Sequence, residues 1–246
     1  KYKIFYFRNS GKFGLEKMIL TSSMSVYGSQ KPPFSEEMER MPDDIYGVSK
    51  TAMERATEIL NQVHKFSYTI IRPHNVYGPR QNLADPYRNV IGIFINCLLK
   101  KKNFYIYGDG KQKRAFTYID DLTPYIIRSA FQKNCNGEII NIGPSKEYSI
   151  NELSETILKV FFTNSKITSK YKPKHFPSRP QEVKDAWCTM DKAQKLLNYK
   201  PKVTLEDGIE RMLRWAKTLG PQKFNYLDDL EITSQETPMT WVKKLI

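Results

Sequence analysis

Tyr46 and Lys50 stand four residues apart in "YGVSK", and Ser23 lies upstream in "TSSMSVYG", residues 21–28. On a helix, a spacing of four puts both side chains on one face. A tyrosine hydroxyl ordinarily ionises near pH 10, too high for a base at neutral pH. A neighbouring ammonium favours the phenolate, and a serine hydroxyl could orient a substrate alcohol. Such a trio suits removal of a proton from an alcohol or sugar hydroxyl while hydride leaves the carbon. Standing alone, the same spacing equally describes a surface tyrosine and lysine on a solvated helix.

The elements that must carry these residues alternate. "KMILTSS" (17–23) is a short apolar run that ends in small polar residues, a buried strand feeding an edge. "DDIYGVSKTAMERATEILNQVHK" (43–65) is predicted as a helix, capped by Asp43 or Asp44, with Ala52, Ala56, Ile59 and Leu60 as its apolar face. "SYTIIRP" (67–73) is the next strand, then a helix in "NVIGIFINCLLKKK" and a strand in "FYIYGDG". "DDLTPYIIRSAFQ" (120–132) is predicted as a helix begun by Asp120 or Asp121, and "GEIINIG" (137–143) as a strand. "SINELSETILKVF" (149–161) opens with Ser149 and Glu152, a capping box. Two amphipathic helices follow, and the tail from Pro221 reads as a loose extension. Alternating strands and helices imply an α/β fold, a parallel sheet covered on both faces. Ligands of such sheets sit outside the carboxyl ends of the strands, where "TSS" and "RPHN" must both arrive.

Composition narrows the partners. The 246 residues, 40% hydrophobic and 13% aromatic, are enough for a sizeable core. No apolar run approaches the roughly eighteen residues of a membrane span, and "KYKIFYFRNSGK" is no signal peptide. Cys97, Cys135 and Cys188 are odd in number with no CxxC pair, which fits free thiols in a reducing, cytoplasmic setting. The three histidines show no metal-ligand spacing, so no metal is expected. The net charge of +13 fits either nucleic acid or small phosphorylated anions. The lysines are scattered and no nucleic-acid-binding signature is present, so nucleic acid is not expected as a partner.

Five blocks in one order decide between these readings: "TSSMSVYG", "YGVSK", "RPHNVYGPRQ" (72–81), "GDGKQKRAFTYIDD" (108–121) and "SRPQEV" (178–183). From about residue 15 to residue 220 the chain resembles the extended short-chain dehydrogenase/reductase superfamily, in particular nucleotide-sugar epimerases of the UDP-glucose 4-epimerase kind. The resemblance implies NAD as cofactor and a nucleotide sugar, UDP-linked, as substrate. It makes Tyr46 the base, Lys50 its activator and a contact to the cofactor ribose, and Ser23 the partner of the sugar hydroxyl. Ser22 and Pro73 join Tyr46 and Lys50 around the cofactor. Asn75, Arg114, Arg179 and Glu182 join Ser23 on the substrate, the arginines suiting phosphate oxygens bidentately. A surface ion pair is the alternative for each arginine. Phe116, Tyr118 and Asp120 are read as scaffold, and His74 as a residue shaping the pocket or a buried structural histidine. Gln181 and Glu182 stand where relatives often have Gly and Asp.

The same blocks bear on the reaction. Dehydrating relatives look like Thr-Asp-Glu where this chain has Ser23-Met24-Ser25, and decarboxylating relatives keep a glutamate at the position of Ser25. Met24 cannot do acid–base work, so 4-epimerisation through a 4-keto sugar is expected. The family's glycine-rich strand–turn–helix has no match in residues 1–20, so the chain reads as a fragment or a truncated relative, with weak or absent NAD binding by itself. The expected organisation is a partial Rossmann-type sheet in 1–78 and 116–145, a smaller α/β substrate part in 79–115 and 146–220, and an extension in 221–246. Complete relatives often dimerise through the YxxxK helix. The competing readings are a non-catalytic sugar-nucleotide-binding remnant and another reaction of the same epimerase/dehydratase family.

Overall fold

Apolar runs closed by small polar residues form the strands, and the amphipathic stretches between them form helices, in a computed structural model that describes residues 15–87, 89–162, 171–178, 183–226 and 237–246. The elements that matter to the site are β1 (Lys17–Thr21), α1 (Ile45–His64), β2 (Ser67–Pro73), β3 (Val76–Tyr77), α2 (Val90–Leu99), β4 (Tyr105–Tyr107), β5 (Lys113–Arg114), β6 (Thr117–Tyr118), α3 (Thr123–Phe131), β7 (Glu138–Ile142), β8 (Tyr148–Ser149), α4 (Ile150–Phe161), β9 (Lys174–Phe176), α5 (Asp191–Leu197), α6 (Leu205–Leu219) and α7 (Met239–Val242). They fall into two compact units: the described residues of Lys1–His74, Asp120–Lys146 and Asp185–Lys202, and those of Asn75–Ile119, Glu147–Lys184 and Val203–Ile246.

The first unit is built on a parallel sheet in the order β1-β2-β7. Lys17 to Thr21 of β1 run alongside Ser67 to Ile71 of β2, and Thr69 to Pro73 of β2 alongside Glu138 to Ile142 of β7. As the central strand, β2 is buried from Thr69 to Arg72, as a strand covered on both faces must be. Asp44 caps α1 by accepting the Gly47 N–H, and Lys65 closes the helix in the left-handed region at φ 57°. The expected apolar face of α1 is not the buried one. Gly47, Glu54 and Thr57 are buried, whereas Ala52 and Ile59 are exposed. Only Leu60 of that expected face, half-buried, packs with Met53 against Leu20 and Ile70. The reason lies in a buried ion pair on the inner side, described with the site.

Two further expectations are corrected. Asp121 does not cap α3. Its two carboxylate oxygens accept the Lys202 N–H, each at 3.1 Å, and α3 starts without a side-chain cap on Pro124, whose fixed φ suits a first turn. Residues 185–202, expected with the substrate part, belong to the first unit. Phe34 and Cys188 form a parallel bridge, Lys192 pairs with Glu138 at 2.6 Å, and Arg128 donates to the Leu197 carbonyl at 2.7 Å.

The second unit has a core shared by α2, α4 and α6, including Phe94, Leu98, Leu153, Ile157, Ile209 and Met212. The Ser149–Glu152 capping box starts α4 as expected. Short ladders flank this core: β3 with β6 and β4 with β9, both parallel, and β5 with β8, antiparallel. The stretch from Pro221 is not a loose extension where the structure describes it. Phe224, Thr240 and Ile246 are buried, and Phe224 and Ile246 lie in the same cluster as Phe94 and Ile106. Burial of these side chains draws the C-terminal residues into the unit.

Candidate functional site

The carboxyl ends of β1 and β2 deliver the first group of residues. The Ser22 N–H continues the ladder by donating to Ile71 O at 2.7 Å, and Ser23 then caps a 3-10 turn, Met24–Tyr27. The Ser23 hydroxyl accepts the Ser25 N–H at 3.1 Å and donates to the Ser25 hydroxyl at 3.2 Å. Gly47 lets the first turn of α1 sit against that serine turn, since a Cβ there would lie 2.6 Å from Ser25 O. Tyr46 and Lys50 therefore arrive together. The Lys50 ammonium donates to Thr21 O at 2.8 Å and lies 5.5 Å from the centroid of the Tyr46 ring. Pro73 ends β2 on the same edge, opposite Ile142. Ser22, Ser23, Tyr46, Lys50 and Pro73 are thus all carried by the first unit. The buried Ser22 hydroxyl has no hydrogen-bond partner among the described residues. A polar atom left so at a sheet edge suits a group from outside the chain.

Asn75 and Arg114 are carried by the second unit and line one cavity of about 230 Å³. Asn75 donates to Ala115 O at 2.9 Å. The Arg114 guanidinium donates to Lys113 O at 2.8 Å, to Lys184 O at 2.9 Å and to Val183 O, so its charge is held by backbone carbonyls. Phe116, expected as scaffold, also lines the cavity, while the Tyr118 ring packs edge-on against Tyr77. Arg179 and Glu182 lie outside the described residues. Among the described residues no group of acidic, histidine or cysteine side chains could hold a metal ion, and no helix is long and apolar enough to cross a membrane.

What the motif reading missed is the group behind Tyr46 and Lys50. Glu54, one turn beyond Lys50 on the same face, is fully buried and bonded bidentately to fully buried Arg72, with Nε–Oε1 2.9 Å and Nη2–Oε2 2.7 Å. Arg72 also donates to the Tyr27 hydroxyl at 2.7 Å, which donates to Asn141 Oδ1 at 2.8 Å. Arg40 adds a second cation, 2.8 Å from Glu54. Burial works against the Arg72 charge, but the bonds to Glu54 and the nearby Tyr27 oxygen outweigh it and hold its pKa above the ordinary arginine value. Burial pushes the Tyr27 phenol up as well, so it stays neutral. One guanidinium thereby joins α1, β2, the serine turn and β7. The signal available in sequence was a charged residue in an otherwise apolar run, "TIIRP".

The sequence reads His74 either as shaping the pocket or as a buried structural histidine, and the structure buries it. It is fully buried, and neither ring nitrogen has a partner among the described residues. Gly143 packs against it so closely that a Cβ would lie 2.7 Å from the ring. Burial lowers its pKa to about 3, so the imidazole is neutral in the fold.

The chain matches the family model described as GDP-mannose 4,6 dehydratase over residues 6–212. It is 33% identical over 209 residues to a UDP-glucuronate 4-epimerase of Thermodesulfobacterium geofontis, covering 83% of this chain and 60% of that one. It is also 33% identical over 212 residues to a UDP-N-acetyl-alpha-D-glucosaminuronate decarboxylase of Bacillus cytotoxicus, covering 84% and 65%. The crystal structure of UDP-glucuronic acid 4-epimerase from Bacillus cereus, in complex with UDP-glucuronic acid and NAD, superposes with a TM-score of 0.77 at 32% identity, covering 87% of this chain and 65% of that one. The chain spans 60 to 65% of the length of these two curated relatives.

Two outcomes follow from the buried groups. Replacing Arg72 by Met leaves the Glu54 carboxylate buried with one partner fewer and is expected to cost about 3–5 kcal/mol in urea unfolding. The double change Arg72→Met with Glu54→Leu is expected to cost less than the single one, because the buried carboxylate is then removed along with its partner. For His74 the folded pKa lies below the unfolded value near 6.5. The unfolded chain therefore takes up a proton that the folded chain refuses. Stability is expected to fall by up to about 1.4 kcal/mol per pH unit below 6.5 from this residue. The difference between wild type and His74→Phe in unfolding at pH 7 and pH 5 checks it.

Proposed function

The chain belongs to the extended short-chain dehydrogenase/reductase family, and from that premise we propose that it serves a NAD-dependent nucleotide-sugar 4-epimerase of the UDP-hexose type. The observation that carries this reading is the Lys50 ammonium fixed on Thr21 O beside Tyr46, on a serine turn with no carboxylate at residues 24 and 25. Met24 is instead buried apolar scaffold.

In this reading Tyr46 takes the proton of the sugar C4 hydroxyl and later returns it. Lys50, the activator that the resemblance implies, holds its ammonium 5.5 Å from the centroid of the Tyr46 ring. Ser23, held by its bonds to Ser25, orients the sugar hydroxyl. NAD, when bound, supplies the hydride acceptor and donor at C4. The residues that would hold it are Tyr46, Lys50, Pro73 and Ser22, whose hydroxyl is buried without a partner among the described residues. Asn75 and Arg114 would meet the diphosphate region, and Arg179 and Glu182 are proposed for the same substrate from the resemblance alone. Without carboxylates at 24 and 25 the turn offers no acid pair for loss of the C6 hydroxyl, so the keto sugar is reduced again rather than dehydrated.

A second copy of the chain is the proposed protein partner. Ile45, Val48, Ile59 and Val63 on α1 are exposed, Ile45 by 89%, and suit the helix contact through which complete relatives dimerise.

NAD is expected to bind this chain weakly, so it is supplied in large excess with UDP-glucose, UDP-N-acetylglucosamine or UDP-glucuronate in D₂O, and turnover under these conditions should yield the C4 epimer with no deuterium at C4. Tyr46→Phe should lower kcat about 10²–10⁴-fold. A 4-keto-6-deoxy product would overturn the epimerase assignment. Stoichiometric binding of the UDP-sugar without turnover would favour a binding protein.

A further inference from the structure

The cavity that Asn75 and Arg114 line is also lined by residues from beyond the family match, which ends at residue 212. Thr240, Trp241 and Ile246 line it. Three observations tie this segment down. The Tyr107 hydroxyl and the Thr240 hydroxyl are 2.6 Å apart, and the Thr240 N–H donates to the same Tyr107 oxygen at 3.1 Å. The Trp241 ring meets Tyr87 edge to face, with centroids 4.9 Å apart. Ile246 is 7% exposed, and its carbonyl accepts the Tyr226 hydroxyl at 3.1 Å.

The chemistry of the cavity is divided. Arg114 and Asn75 bring a cation and an amide, whereas Tyr87 and Trp241 bring aromatic surface. A ligand with an anionic group at one end and a flat ring at the other matches both, and a nucleotide is that class. We propose that residues 237–246 form a built wall of the nucleotide pocket, with Trp241 as the surface against which the base lies. This rests on the nucleotide-sugar reading above and adds a binding residue to it. The segment acts as a wall rather than a plug. A cavity of about 230 Å³ remains with the segment in place, and withdrawing it would break both Tyr107 bonds and expose Ile246.

Isothermal titration of the full chain with UDP, and separately with inorganic pyrophosphate, tests the proposal. Trp241→Ala is expected to weaken UDP about ten-fold, the order of one base–aromatic stack, and to leave pyrophosphate unchanged. Trp241→Phe is expected to keep most of the UDP affinity. Thermal melts show whether each variant is folded. Should Trp241→Ala fail that check, Thr240→Val, which removes the hydroxyl bond to Tyr107, is expected to weaken UDP in the same direction. Equal or tighter UDP binding by a folded variant would overturn the wall while leaving the nucleotide reading intact. Parallel loss of UDP and pyrophosphate would reduce Trp241 to a support of the fold and also overturn it. No UDP binding by any form would overturn the nucleotide reading and the wall together.

Discussion

The Arg72–Glu54 ion pair is the constraint on which the first unit depends. Both side chains are out of water, so each charge needs its partner. Such a pair adds little net stability over a well-packed apolar pair, because desolvation cancels much of the attraction. Its contribution is geometric. A bidentate guanidinium accepts few orientations, and this one reaches a helix through Glu54 and the serine turn through Tyr27, while Tyr27 reaches β7 through Asn141. The helix that carries Tyr46 and the turn that carries Ser23 are held by one group.

That constraint also explains the unusual helix. In α1, Glu54 and Thr57 face inward, and Ile45, Val48, Ile59 and Val63 face water. Ordinary amphipathic patterning points the other way. The inner face is polar because it serves the ion pair and the sheet edge, where Lys50 meets Thr21. The exposed apolar side chains of α1 therefore lie on its outer face.

The second unit reaches its cavity by a different route. Its walls come from stretches far apart in the chain: the loop after β3, β4 with Gln112 and Arg114, the start of α4 at Ile150, and the C-terminal segment. Apolar burial against α2, α4 and α6 holds them, not one polar pair. The cavity therefore depends on the core as a whole, and Tyr107 supplies its polar link to Thr240.

The sequence by itself determined the α/β alternation, the capped starts of α1 and α4, and the Tyr46–Lys50 pair, because these follow from local periodicity and short spacing. It also determined the family, through five ordered blocks. Other features waited on tertiary structure. The burial of Glu54 cannot be read from a helical pattern, since its partner Arg72 is eighteen positions away. The close fit of Gly143 against His74, and of Gly47 against Ser25, depends on which backbones meet. The stretch from Pro221 reads as a loose extension in sequence, yet Thr240 and Ile246 are buried. In each case the deciding contact joins residues distant in the chain, and no local pattern encodes the energy of a contact that exists only once the core has formed.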